Sequence, residues 1–249
     1  MAEQLERYVR QMVLPAMGEE GQRKLLASSV AVVGCGGLGT HTADNLVRAG
    51  VGYLRIVDRD YVELSNLQRQ ILFDEHDVAE AQPKVEAAAR KLRAINSQVQ
   101  IEPLVRDVSS DNVESTIGGV DLVLDGSDNF ETRYLINDAC VKHDIPWIYG
   151  GAVATYGMTM NIIPHRTPCL RCVFPEVPPP NTAPTCVTAG ILASIVATVS
   201  AIQCSEALKL LTGQGKLNDG LIHVDVWDNS FEVFSVERQE DCTACGKNR

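Results

Sequence analysis

Aromatic side chains are scarce in this chain, 5% of its 249 residues, so its core must be packed from Val, Ile, Leu and Ala, as in sheets covered by helices. Positive charge is also short. Lys and Arg number 22 against 32 Asp and Glu, a net charge of −10 with a pI near 5. That balance disfavours sequence-independent nucleic-acid binding. The N-terminus, Met-Ala-Glu-Gln-Leu-Glu-Arg, lacks the apolar centre of a secretory signal. Long hydrophobic runs are missing as well. The longest apolar stretch, Ile191 to Ile202, is interrupted by Ser194, Thr198 and Ser200 and followed by Gln203 and Glu206. It is expected to be too short and too polar at its end to span a bilayer, and to form instead a buried helix ending near Gly213. The eight cysteines lack the dense spacing of a secreted disulfide scaffold, so reduced thiols and a cytoplasmic location are expected. The five histidines (His41, His76, His143, His165, His223) show no paired spacing, and no Ser–His–Asp arrangement is evident.

What is present begins with 45% hydrophobic residues, enough for a sizeable core without disulfides. The most informative feature is a pair of C-x-x-C motifs, Cys169-Leu-Arg-Cys172 and Cys242-Thr-Ala-Cys245. Two thiolates in a tight turn hold two corners of a zinc tetrahedron, and a second such pair completes it. Pro168 and Gly246 put both pairs in turn-prone settings. One shared structural Zn²⁺ would tie the C-terminus to the middle of the chain. Two unrelated pairs, or one redox dithiol beside a chance pair, are the plainer alternatives.

The first half reads as strand, glycine turn, helix, strand. Ser29 to Val33 is a β-branched run that enters Gly34-Cys35-Gly36-Gly37-Leu38-Gly39. A helix is expected from Thr40 to Ala49, closed by Gly50, and then a strand from Tyr53 to Val57 ending in Asp58. A strand–GxGxxG–helix–strand unit followed by an acidic residue is a nucleotide-binding fingerprint. Gly34 permits the tight turn, Gly36 the approach of a phosphate, and Gly39 close helix–strand packing. Asp58 is placed to accept hydrogen bonds from ribose hydroxyls.

NAD is the default ligand for this fingerprint. Arg69 and Lys84 argue for ATP, because a departing pyrophosphate needs cations beside the β and γ groups. Lys84 also begins an amphipathic pattern (Val85, Ala88, Leu92, Ile95) and could be an ordinary first-turn residue. A buried strand from Val120 to Leu124 ends in Asp125-Gly126-Ser127-Asp128-Asn129. Its carboxylates fall on the same rim as the glycine turn, where Asp128 is either a Mg²⁺ ligand or the N-cap of the next helix. An orienting role in the turn is the alternative for Asp125. The sequence Phe174-Pro175-Glu176-Val177-Pro178-Pro179-Pro180-Asn181-Thr182-Ala183-Pro184 reads as a mobile crossover or substrate-lining loop leading to Cys186. Cys35, Cys140 and Cys204 are expected in the core.

Together, Arg7-Tyr8-x-Arg10-Gln11, the glycine turn, Asp58, Asn66-Leu67-Gln68-Arg69-Gln70, Gln82-Pro83-Lys84, Asp125-x-x-Asp128-Asn129, the cysteine pairs and Thr185-Cys186 with Ala189-Gly190 resemble the MoeB/ThiF adenylyltransferases. These are bacterial relatives of ubiquitin-activating enzymes, and the resemblance runs from Arg7 to Cys245. It implies one α/β domain: N-terminal helices over 1–28, a Rossmann-like, doubly wound and mostly parallel ATP-binding part over 29–150, and a carrier-binding, zinc-containing part over 151–249. It implies ATP and Mg²⁺, adenylation of the C-terminal glycine of a small ubiquitin-like sulfur carrier, and a homodimer. Asp58 would meet the ribose, Arg69 and Lys84 the phosphates, and Asp128 the Mg²⁺, with Gly37, Asn66 and Gln70 lining the nucleotide. Arg10 would reach into the partner subunit's site. The four cysteines would be the structural zinc ligands.

Cys186 matches a cysteine that some members link covalently to the carrier; the plainer alternative is a small residue starting the following helix. The chain shows no rhodanese-like extension after Arg249, so a separate sulfur donor is expected. Pathway alternatives are molybdopterin, thiamin or a related sulfur transfer. Competing functions are an NAD-linked oxidoreductase, a non-catalytic zinc scaffold, and adenylation of another acyl acceptor such as a peptide C-terminus.

Overall fold

The computed structural model describes residues 5–179 and 184–246. The chain enters through a 3-10 turn (Glu6–Tyr8), then α1 (Val9–Met12) and α2 (Gly18–Ala27), and passes into β1 (Ser29–Val33). α3 (Gly37–Ala49), β2 (Tyr53–Asp58), α4 (Glu75–Ala79), α5 (Lys84–Ile95) and β3 (Gln100–Val105) follow. The chain continues with α6 (Val113–Ile117), β4 (Leu122–Asp125), α7 (Phe130–Lys142), β5 (Trp147–Val153), β6 (Tyr156–Ile162) and α8 (Leu170–Val173). It ends with α9 (Ala193–Thr212), β7 (Leu221–Asp225) and β8 (Ser230–Phe234).

One eight-stranded sheet runs in the order β3-β2-β1-β4-β5-β6-β7-β8. The pairings from β3 through to β5 are parallel, and those from β5 to β8 are antiparallel. β1 and β4, at the centre of the parallel part, are buried on both faces, which explains why they read as continuous apolar runs without alternation. Val30 and Val32 point into one core, with α3, α5 and Cys204 of α9. Ala31 and Val33 point into the other, with α6, α7, Trp147 and the paired cysteines. The sheet is therefore covered on both sides, a doubly wound arrangement with an antiparallel extension. Burying each of the β1 valines contributes about 1.5–3 kcal/mol relative to leaving it exposed.

The chain runs outward from β1 to β2 and β3, then returns to β4 on the other flank of β1. The carboxyl ends of β1 and β4 thus frame a crevice at the point where the winding reverses, the place where such sheets take ligands. α3 begins at Gly37, three residues before the Thr40 start expected from the pattern, because the glycine turn itself forms the helix's first turn. Gly50 closes it with φ +90°.

α9 is the helix expected before Gly213, which caps it with φ +70°. At 20 residues and a mean hydropathy of 1.3, it is long and apolar enough to cross a bilayer, contrary to the expectation from its interrupted pattern. Its polar side chains show how it is used. Buried Ser200 donates to the Leu38 carbonyl, and Gln203 Nε2 donates to the carbonyls of Asp125 and Ile148. Glu206 accepts from Asn161 Nδ2 at 2.6 Å. Those bonds make it the central helix of this fold. Cys35, Cys140 and Cys204 are buried in the cores, as their composition-level assignment expects.

Glycine is mandatory where the turns meet. A Cβ on Gly39 would lie 1.9 Å from the Gly34 carbonyl oxygen, whereas one on Gly119, with φ +76°, would meet nothing within 4 Å. Gly39→Ala is expected to destabilise by at least about 3 kcal/mol, and Gly119→Ala by only about 1–2 kcal/mol through backbone strain. Urea unfolding midpoints of the two variants check this ordering.

Candidate active site and metal centre

The crevice is built by backbone before side chains. Gly34 N–H donates to the Val57 carbonyl at the end of β2, and Gly126 N–H donates to the Val33 carbonyl at the end of β1, both at 2.7 Å. A Cβ on Gly34 would fall 2.4 Å from the Gly126 backbone, so φ +98° and the absence of a side chain are both needed there. Gly36, in contrast, faces open space: only Gln70 Nε2, at 3.8 Å, would come near its Cβ. Gly36 is the N-cap of α3 and offers no capping side chain, which leaves first-turn N–H groups directed at the crevice.

Asp58 closes the turn from the β2 side. Its Oδ2 accepts the Cys35 N–H at 2.7 Å, and its Oδ1 accepts the Asp60 N–H at 2.8 Å. Gln70 is buried, and its Oε1 has no hydrogen-bond partner among the described residues. A buried, unpaired acceptor beside an open glycine turn fits a donor arriving with a ligand. Asn66 is buried, its Oδ1 accepting the Glu63 N–H at 3.2 Å. Arg69 is half-buried and packs toward Gly37, while one guanidinium nitrogen donates to the Ser65 carbonyl at 3.1 Å. Lys84, only 7% exposed, opens α5. Its ammonium pairs with Asp60 at 2.9 Å, and its N–H donates to the Asp60 carbonyl at 2.9 Å.

From the other flank, Asp128 is exposed on the turn after β4. The N-cap of α7 is Asn129, whose Oδ1 accepts the Thr132 N–H at 2.8 Å, so capping is not the task of Asp128. Asp125 is wholly buried and paired with Arg133, its Oδ2 3.1 Å from Nε. Burial pushes the Asp125 carboxyl up from its ordinary range, against the pull of the guanidinium. Asp125 thus orients the turn. Gly37, Asp58, Asn66, Arg69, Gln70, Lys84 and Asp128 all belong to elements that meet at this carboxyl-end rim.

Two other residues lie elsewhere. Arg10 is exposed on α1, and its neighbours anchor at the opposite end of α3. Gln11 Nε2 donates to the Ala49 carbonyl at 3.0 Å, and a Cβ on Gly50 would strike the ring of buried Tyr8. The thirteen residues of α3 separate that end from the glycine turn by about 20 Å. Cys186 sits in a turn within Thr185–Ala189, and α9 starts only at Ala193, so Cys186 does not precede a helix directly. The returning segment joins the rim farther on: Ala154 N–H donates to the Gly190 carbonyl at 2.8 Å, and Gln68 Nε2 donates to the Ile191 carbonyl at 3.4 Å. The crossover loop expected as mobile lies partly outside the described residues, at 180–183.

The cysteine pairs come together. Cys169 and Cys172 flank the start of α8, and Cys242 and Cys245 lie on the turn beyond β8. Their Sγ atoms stand 3.9 Å apart within the first pair, and 3.6 Å (Cys169–Cys242) and 3.4 Å (Cys172–Cys245) across the pairs. Four thiolates about 2.3 Å from a zinc ion lie roughly 3.8 Å from one another, so this donor set fits a closed tetrahedral site. Gln239 N–H donates to Cys172 Sγ at 3.5 Å, a support of the kind metal thiolates receive. Burial pushes the Cys172 thiol up to about 11 and Cys169 higher still, a preference that a divalent cation reverses.

A model of the ThiF family matches residues 8–244. The chain belongs to the ThiF family. It is 45% identical over 242 residues to the sulfur carrier protein ThiS adenylyltransferase of Bacillus subtilis, spanning 96% of this chain and 71% of that protein. To the SAMP-activating enzyme E1 of Haloferax volcanii it is 44% identical over 247 residues, 99% of this chain and 90% of that one. Its fold is similar to that of E. coli MccB in a crystal structure with MccA-N7isoASN. The TM-score is 0.86 at 23% identity, over 98% of this chain and 75% of that one, a likeness of fold alone.

Sequence reasoning missed two members of the ThiF-family rim. Asp60, the counter-charge of Lys84, lies two residues after Asp58 in the same loop. Arg133 lies four residues after the α7 N-cap, a spacing that returns a helical side chain to the preceding turn. Only the second carries a signal in the pattern. Elemental analysis is expected to find about one zinc ion per chain, as for a four-cysteine site. Cys172→Ala or Cys245→Ala is expected to release it and to expose the residues after β8 to limited proteolysis.

Proposed function

We propose that this ThiF-family enzyme adenylates the C-terminal glycine of a small ubiquitin-like sulfur carrier ending in Gly-Gly, using ATP and releasing pyrophosphate. The observation that carries the reading is Lys84. It is a buried ammonium at the ligand rim beside an open glycine turn, with one exposed carboxylate, Asp60, as its counter-charge. A buried lysine needs a negative partner, and a triphosphate supplies one. The same rim in a dinucleotide site needs little positive charge beyond the helix N-terminus.

In the reaction, a carrier carboxylate oxygen attacks the α-phosphorus of ATP. A new P–O bond forms the acyl adenylate, and the α–β P–O bond breaks as pyrophosphate leaves with its electron pair. A carboxylate is ionised at neutral pH, so the step needs no general base. The protein's work is positioning and charge neutralisation. Asp58 holds the ribose hydroxyls while keeping its grip on the Cys35 N–H. The first turn of α3 receives phosphate oxygens, and Arg69 and Lys84 stabilise the charge that grows on the leaving pyrophosphate. Gln70 and Asn66 line the nucleotide with Gly37. Asp128, exposed and relieved of capping by Asn129, would offer a hard divalent cation an oxygen donor, and Mg²⁺ held there would supply neutralisation of the phosphate oxygens.

The four cysteines would together hold a structural zinc, whose task would be to frame residues 151–249 and not to take part in adenylation. The whole chain works as one adenylyltransferase domain in the cytoplasm. Arg10, far from its own rim, serves the partner subunit's site in a homodimer. A separate sulfur donor follows adenylation, in thiamin, molybdopterin or a related synthesis. Cys186 is the candidate for a covalent link to the carrier in that later step.

ATP–pyrophosphate exchange with a panel of Gly-Gly carriers tests the reading. Carrier-dependent exchange is expected, and Lys84→Ala or Asp128→Ala should reduce kcat/KM by at least about 100-fold. Tight NAD binding without ATP–Mg²⁺ binding would overturn it. Mixed dimers of Arg10→Ala and Lys84→Ala chains are expected to recover part of the activity that each homodimer loses. Cys186→Ala should leave both zinc content and exchange rate intact; loss of exchange would place that thiol in adenylation itself.

A further inference from the structure

We infer that Arg133 is a positioning residue for the nucleotide rim, acting through the Ser127 turn on Asp128. The inference rests on the reading above, which gives Asp128 its cation. Arg133 is buried beneath the turn after β4 and touches the backbone of that turn and of the neighbouring strand β5. Its Nε binds Asp125 Oδ2 at 3.1 Å. Its Nη2 donates to the Ser127 carbonyl at 2.8 Å and to the Gly150 carbonyl of β5 at 3.3 Å. Asp125 grips the same two points from below. It accepts the Ser127 N–H at 2.9 Å, the Ser127 hydroxyl at 2.6 Å and the Gly150 N–H at 3.4 Å. Both members of one ion pair therefore clamp one residue, Ser127, to the neighbouring strand. The next residue is Asp128, whose side chain accepts a hydrogen bond from the Asn129 amide at 3.2 Å and faces the charges of Arg59 and Arg133.

The guanidinium is itself held by rings. Its carbon lies 5.3 Å from the Phe130 centroid and 5.5 Å from that of Tyr149. Phe174, on the segment leaving α8, packs edge-on against both, at 5.9 and 6.5 Å. Tyr134 fastens that segment, donating its hydroxyl to the Phe174 and Glu176 carbonyls at 2.6 and 3.0 Å. A buried ion pair is a poor source of stability compared with apolar packing of the same volume. A fork that fixes two carbonyls and a carboxylate at once is a good source of geometry, and lysine cannot reproduce it.

The test is binding of the fluorescent analogue mant-ATP by the full chain, measured with Mg²⁺ and again with EDTA. Arg133→Lys keeps the charge beside Asp125 and loses the fork. It is expected to weaken binding about tenfold or more with Mg²⁺, as loss of a residue supporting a metal ligand does, and to change it little in EDTA. In a double-mutant cycle, Arg133→Lys with Asp128→Asn should bind no more weakly than Asp128→Asn alone. Equal losses with and without Mg²⁺, or additive losses in the cycle, would make Arg133 a support of the fold only and overturn the inference. Should Arg133→Lys fail to fold, Ser127→Gly, which removes the hydroxyl held by Asp125, must reproduce the Mg²⁺-selective loss; binding like the parent's overturns the inference. If the parent binds no mant-ATP in either condition, the nucleotide reading itself falls, and this inference with it.

Discussion

The glycine turn after β1 and the turn after β4 touch backbone to backbone. Gly34 and Gly126 are so close that a single methyl on either would displace the other. That approach is possible only because β1 and β4 are neighbours in the sheet, paired in parallel from Val30–Leu122 to Val33–Asp125. It draws Asp58, Asp128 and the start of α3 around one crevice. The remaining features of the site are attachments to this contact. Asp58 binds the turn from the β2 side through Cys35, and the Asp125–Arg133 pair braces it from the β4 side. Gln203 reaches up from α9 to the Asp125 carbonyl. Side-chain chemistry could change at this rim without altering its shape; the backbone approach could not.

The second organising device is the cysteine cluster. It joins α8 to the turn beyond β8 across 73 positions of sequence. The antiparallel strands β6 to β8 extend the sheet away from the crevice, and the cluster pins their far end to the core containing α7 and Trp147. Three of its four cysteines are buried, and it lies away from the crevice, so it belongs to the frame. Through Phe174 the same segment reaches the rings that seat Arg133, which makes frame and rim mechanically continuous although they were read as separate motifs.

Much of the rim was legible as local pattern. A strand, a GxGxxG turn and an acidic residue at the end of the next strand form a unit whose geometry follows from short-range constraints, so Gly34 to Gly39 and Asp58 could be placed by counting. The helix start was misjudged by three residues because glycines count against helix by propensity, yet a helix N-terminus facing a ligand crevice needs them. Asp128 could not be separated from an N-cap by type, since Asp and Asn both serve. The neighbouring Asn129 took the cap. Cys186 was placed before a helix on proximity alone, and the turn over Thr185–Ala189 intervenes. The apolar run before Gly213 concealed its purpose for a different reason. Ser200 interrupts the run and Gln203 and Glu206 follow it, and each is a hydrogen-bonding contact to the sheet or the rim.

The sequence by itself determined the family, through the combination of its motifs, the doubly wound layout, the glycine-turn unit and the two C-x-x-C pairs. The layout, the turn unit and each cysteine pair rest on periodicity, turn chemistry and spacing, all of which act over a few residues. Only the tertiary structure decided which distant groups meet: that Lys84 lies buried against Asp60, that Arg133 clamps Ser127 from beneath, and that Arg10 is a helix length from its own crevice. Those relations depend on the order of strands in the sheet and on which helix end reaches the rim, and a linear spacing carries neither.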